Sequence, residues 1–194
     1  MSPQPGADCH LMICANTKKI ALMSQSTLMS RPVIVTTKQE TVMTARMNPY
    51  LKNRALMKPL IDFGMTVEGY GLERSLMELV KIRASQINGC GVCLDMHAKE
   101  ARKEGETEER VLMLSAWRET TLYNEREKAA LAWTETLTRL SDKGAPDDVY
   151  DAVQAQFSEE EQVALTLLVG VINSFNRIGV GFHVPPVSQQ RKAA

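Results

Sequence analysis

From residue 47 onward, apolar positions recur at the three- and four-residue intervals of a helix, and no segment alternates with the two-residue period of a strand. Residues 49–63 read as a short first helix disturbed at Pro59, with a loop expected around Gly64, Gly69 and Gly71. Leu72, Leu76, Leu79, Val80 and Ile87 have helical spacing, so a second helix is expected from Leu72 to Ile87. Asn88, Gly89 and Gly91 interrupt the pattern. A third helix is expected from about Cys90 to Lys103, stopping at Gly105, and Thr107 is placed to cap a fourth that reaches Trp117. Asn124 with Glu127, and Ser158 with Glu161, have the spacing of capping boxes. The first predicts a helix to Leu140, the second a strongly apolar helix to about Ile178. Between them Gly144-Ala145-Pro146 opens a short helix with Pro146 in its first turn, and Pro185-Pro186 ends the ordered chain. The fold class expected is all-α: one helical domain over residues 47–187, with a tail at 188–194.

Residues 1–46 do not share this pattern. They are rich in Ser, Thr and Met, and carry five basic residues (Lys18, Lys19, Arg31, Lys38, Arg46) against two acidic ones (Asp8, Glu40). Leu11 to Ala15 and Val33 to Val35 are their longest apolar stretches, too short for a secretory core. A poorly ordered extension is the expectation, with Met43 or Met47 as alternative starts. A transit peptide is the other reading, and two arginines in this stretch make it a poor one.

Composition narrows the function classes. In 194 residues, 44% are hydrophobic and 24% charged, as in globular chains. Lys+Arg and Asp+Glu are both 23, a balance that argues against a charge-driven nucleic-acid partner. No apolar run approaches the roughly 18 residues of a membrane span, so no membrane association is expected. Four cysteines are too few for a disulfide scaffold, and a cytoplasmic location is the default.

The chemistry concentrates between Ser85 and His97. At roughly 100° per residue, Cys90, Cys93 and His97 share one stripe of a helix. Two thiols three apart at a helix start can close a disulfide, and the helix N-terminus favours a thiolate. An imidazole one turn later can accept a thiol proton and return it to a leaving group. The combination suits redox catalysis. Three other readings stand beside it. Cysteines are often buried and inert. A zinc site could use Cys90, Cys93 and His97, completed by Cys9, His10 or Cys14 only if the extension folds back. A thioredoxin-like motif would need a βαβ context, which is missing. Glu78 lies 12 positions before Cys90 on the preceding helix. The break at Asn88 to Gly91 permits an antiparallel helix pair that would turn Glu78 toward the cysteine stripe, with Cys90 at the reversal facing it. A carboxylate buried there would have a perturbed pKa and could relay protons.

Glu78, Cys90, Cys93 and His97 form E-x11-C-x2-C-x3-H, which resembles the signature of the AhpD-type alkylhydroperoxidases of the carboxymuconolactone decarboxylase superfamily. The resemblance runs from about Met47 to Val187. It includes Asn124 to Thr134, similar to the superfamily's E-R-A-A-L-A-W segment, and the closing Asn173-Ser174-Phe175-Asn176-Arg177, similar to its N-x-x-N-R pattern. It implies a helical fold assembling as a homo-oligomer, trimer or hexamer, with thiol-dependent peroxidase activity on alkyl hydroperoxides. By the same resemblance Cys93 is the peroxidatic cysteine, Cys90 the proton donor and resolving partner, and His97 and Glu78 members of the proton relay. No bound cofactor is implied. The electrons would come from an external thiol reductant, a lipoyl protein in the family's best-known member. The family often has a polar residue beside the second cysteine, where this chain has Val92 and Leu94. A carboxymuconolactone decarboxylase-like lyase is the runner-up, although those enzymes generally lack the C-x-x-C pair. A non-catalytic redox-responsive binding protein would use the same dithiol.

Overall fold

A computed structural model describes residues 45–190, which lie within one compact unit, Glu40–Ala194; the remainder of the expected extension, with Cys9, His10 and Cys14, falls outside the described residues. The architecture is all-α, and no strand occurs among the described residues. In chain order the elements are α1 (Pro49–Lys52), α2 (Arg54–Val67), α3 (Arg74–Asn88), α4 (Gly91–Lys103), α5 (Glu108–Met113) and a 3-10 segment (Leu114–Glu119). Then come α6 (Glu125–Thr138), α7 (Leu140–Lys143), α8 (Asp147–Gln156), α9 (Glu159–Gly181) and α10 (Val187–Gln190).

Side-chain caps set several helix starts. At α6 the Asn124 side chain accepts from the Glu127 N–H while the Glu127 carboxylate accepts from the Asn124 N–H. Ser158 and Glu161 make the same reciprocal pair at α9, and Thr107 caps α5 by accepting from the Arg110 N–H. Four details differ from the pattern-based expectation. The first helix breaks at Asn53 rather than Pro59: Asn53 leaves helical geometry, whereas Pro59 sits on an exposed side of α2, where water can satisfy the carbonyl it leaves free. Gly64 is not in a loop. It lies inside α2, where a Cβ would stand 3.2 Å from Val171 Cγ1, so its small size lets α2 approach α9. Pro146 is the N-cap of α8 rather than a residue of its first turn, and the chain forms α10 after Pro185-Pro186.

The core is organised around α3. One side, with Leu76, Met77 and Val80, packs against α6 and α9 through Ala130, Trp133, Leu165, Leu168 and Val169. The other, with Leu79 and Ile82, packs against Ala101, Leu114, Trp117 and Leu131. Enclosed by both clusters along its middle, α3 buries its polar residues Glu78, Lys81 and Ser85 as well. Polar groups in that position persist only when paired.

α9 corrects the expectation about long apolar runs. By length and composition it is able to cross a membrane, being 23 residues of mean hydropathy 1.6 over its best window. Here it serves as a core helix: Leu165, Leu168, Val169 and Ile172 are buried, and so are Asn173 and Asn176.

Candidate active site

The turn between α3 and α4 brings the sequence-predicted residues together. Gly89 ends α3 in the left-handed region, at φ 68°, a conformation that strains any residue with a Cβ. The chain then reverses, and the Cys90 N–H donates to Ser85 O at 3.0 Å. Cys90 is the N-cap of α4 with extended geometry, and α4 runs back along α3. The turn is tied to α9 by a buried amide network. Asn88 Nδ2 donates to Asn173 Oδ1 and Asn176 Oδ1, both at 2.9 Å, and Asn176 Nδ2 donates to Ser85 Oγ at 2.9 Å. The N-x-x-N-R stretch therefore holds the redox turn in place, a role its sequence alone did not disclose.

Cys90 and Cys93 are joined in a disulfide, with Cα atoms 5.4 Å apart. Their surroundings differ. Cys93, in the first turn of α4, lines a cavity of about 480 Å³ together with His97, one turn further on. Cys90 is fully buried and packs at Gly179 of α9. Cys90 is the cap of α4 rather than a helical residue of the expected stripe, and its sulfur, bonded to Cys93, lies against α9.

Glu78 meets the site through His97. Its Oε2 lies 2.8 Å from His97 Nδ1 and its Oε1 2.8 Å from Lys81 Nζ. Burial pushes the Glu78 carboxyl up, but the hydrogen bonds and charges of His97 and Lys81 outweigh it and hold the group below its ordinary value. An ionised carboxylate only accepts, so in the neutral form of the ring Nδ1 carries the proton and Nε2 is the acceptor nitrogen. Lys81 was missed in the sequence reading because lysine is ordinarily a surface residue. The available signal was its i,i+3 spacing from Glu78 inside an otherwise apolar helix. Lys81 also binds Glu68, just past the end of α2, at 2.5 Å.

The cavity wall is otherwise mostly apolar, with Ile61, Leu168, Val171, Ile172, Phe175 and Val184. Cys93, His97, Lys81 and Glu68 are polar groups on that wall. A shaped apolar space with a few convergent polar groups is the usual form of a small-molecule site. Among the described residues, no group of three or more His, Cys, Asp or Glu is arranged to hold a metal ion.

Comparison with known proteins places this geometry in context. A model of the carboxymuconolactone decarboxylase family matches residues 54–136, a span containing Glu78, Lys81, Cys90, Cys93 and His97. The uncharacterized protein YdfG of Bacillus subtilis is 44% identical over 124 residues, 64% of this chain and 84% of its own. A crystal structure of a protein of unknown function from Agrobacterium tumefaciens, whose description links it to AhpD and antioxidant defence, matches with TM-score 0.72 and 40% identity. The match covers 74% of this chain and 98% of that one. Alkyl hydroperoxide reductase AhpD of Hyphomonas neptunium is 49% identical over 41 residues, 21% of this chain and 23% of its own length.

Proposed function

Because the chain belongs to the carboxymuconolactone decarboxylase family, as an AhpD-like member, we propose that it reduces alkyl hydroperoxides through a Cys90–Cys93 dithiol/disulfide cycle. The observation that carries this reading is the asymmetry of the pair: Cys93 lines an apolar cavity beside His97, and Cys90 lies buried behind it within disulfide distance. His97 Nε2 takes the Cys93 proton. The thiolate, favoured also by the α4 N-terminus, attacks the terminal peroxide oxygen; the O–O bond breaks and Cys93 becomes a sulfenic acid. The departing alkoxide receives the proton held by His97 and leaves as an alcohol. The Cys90 thiol then attacks the sulfenic sulfur, releasing water and closing the disulfide, and an external dithiol returns both cysteines to thiols by exchange. Glu78 keeps His97 in the tautomer these transfers need. The mostly apolar wall suits the alkyl part of the substrate.

A peroxidase assay of the purified chain with an alkyl hydroperoxide tests the reading, comparing lipoamide, glutathione and thioredoxin systems as reductants. Sustained consumption with at least one of them is expected. Oxidation of one equivalent without turnover in all three would remove the enzyme reading and leave a redox-responsive binding protein.

We also infer a homo-oligomer, a trimer or hexamer. Leu51 of α1 and Leu56, Phe63 and Met65 of α2 are 77%, 79%, 45% and 69% exposed, a concentration of solvated apolar surface that association would cover. Light scattering at micromolar concentration should return a multiple of 21.6 kDa. A monomer mass refutes the inference.

A further inference from the structure

Lys81 is a buried charged group on the cavity wall that takes no part in the peroxide reduction proposed above. Its side chain is 7% exposed, and an ammonium in that position is retained only where its charge is matched. It is matched twice, by Glu78 Oε1 at 2.8 Å and by Glu68 Oε1 at 2.5 Å. Glu68 is 39% exposed, so this ion pair reaches from the cavity toward solvent. We propose that Lys81 is a positioning residue: by binding Glu78 Oε1 it keeps that carboxylate ionised and aimed at His97 Nδ1, and so leaves His97 Nε2 free to take the proton of Cys93. The inference rests on the reading above, which makes Cys93 the attacking thiol.

Each oxygen of Glu78 has one charged or donating partner, Lys81 on Oε1 and His97 on Oε2. Without the ammonium, Oε1 would be a buried anionic oxygen lacking its partner, and the carboxyl would favour taking a proton. A protonated carboxyl can donate to Nδ1 instead of accepting from it. The imidazole then carries its proton on Nε2, where it can no longer accept from Cys93. The remaining surroundings cannot replace Lys81. From α4 comes His97, and from the end of α2 comes Glu68, which adds negative charge. α6 and α9 pack on α3 through apolar side chains such as Trp133, Leu165 and Leu168, and the amides of α9, Asn173 and Asn176, are engaged with Asn88 and Ser85. Glu135 of α6 is engaged with Arg83, at 2.7 Å, and with Trp117 Nε1, at 2.9 Å.

The test is the pH dependence of Cys93 alkylation by iodoacetamide in the reduced full-length protein, quantified on the Cys93 peptide by mass spectrometry. Removing a cation from the cluster raises the proton affinity of its acids and bases together. Lys81→Met should therefore move the midpoint up by about one pH unit, while Lys81→Arg, which keeps the charge, should stay near wild type. Glu68→Gln removes a negative charge, so its midpoint should move down. A lysine that only filled space would alter melting temperature or rate at every pH without moving the midpoint. An unshifted midpoint in folded Lys81→Met, or equal shifts in Lys81→Met and Lys81→Arg, overturns the proposal. Should Lys81→Met not fold, an unmoved midpoint in Glu68→Gln overturns it. No peroxide enters this measurement, so an absence of hydroperoxide turnover by the wild type counts against the peroxidase reading alone.

Discussion

Cys93→Ser should reduce hydroperoxide consumption to the uncatalysed background and abolish sulfenic acid labelling, whereas Cys90→Ser should lose turnover but retain one round of oxidation. The structural reason is access. Cys93 stands on the cavity wall in the first turn of α4, and Cys90 is wholly buried at the cap before it. Substrate entering the cavity meets Cys93 first, and Cys90 meets only Cys93. In Cys90→Ser the sulfenic acid has no neighbouring thiol, so a dimedone-type probe should label it stoichiometrically. His97→Ala should retain the chemistry at a rate lower by about 10²–10⁴, the usual value of a positioned general base. If the probe labels Cys90 in Cys93→Ser and nothing in Cys90→Ser, the two roles are reversed.

Gly179→Ala is expected to make the disulfide markedly easier to reduce without unfolding the protein. A Cβ at this position of α9 would stand 2.7 Å from Cys90 Sγ, 3.0 Å from Val92 Cγ1 and 3.6 Å from Cys93 Sγ. In the reduced protein the Cys90 thiol can turn aside. In the oxidised protein its bond to Cys93 holds the sulfur where the new methyl must go, so the clash falls mainly on the disulfide form. Overpacking of this kind costs about 1–3 kcal/mol, and about 1.4 kcal/mol corresponds to roughly 30 mV for a two-electron couple. Equilibration with a dithiothreitol buffer series, followed by thiol counting on the Cys90–Cys93 peptide, should show a potential less negative by a few tens of millivolts. Gly170 provides the control, since a Cβ there meets nothing within 4 Å. Gly170→Ala should leave the potential unchanged, and an equal potential in Gly179→Ala would refute the argument.

Different parts of this site were legible to different degrees. The pairing of Cys90 with Cys93 was readable because three residues of separation at a helix start leave two Cα atoms within disulfide reach, here 5.4 Å. The approach of Glu78 to His97 followed from the glycine-bearing reversal between two helices. The placement of Cys90 did not follow: a stripe drawn at 100° per residue assumes the residue is helical, and a cap is not. Lys81 on α3 and Glu68 just past the end of α2 lie 13 positions apart, and nothing in their spacing announces that they meet.

The amino-acid sequence by itself determined what nearest neighbours along the chain decide. Asn124 with Glu127 and Ser158 with Glu161 close their capping boxes within one turn, Gly89 supplies the left-handed reversal, and the apolar period makes the chain helical. These interactions span three or four residues, so they are encoded wherever the residues stand. The tertiary structure alone decided which helix is enclosed on both sides. Burial of α3 between two clusters converts Lys81 from a surface residue into a matched internal charge, and the approach of α2 and α9 makes the cavity in front of Cys93. Those outcomes depend on which faces of distant helices meet, and the cost of an unpaired charge or an unfilled space arises only once they have met.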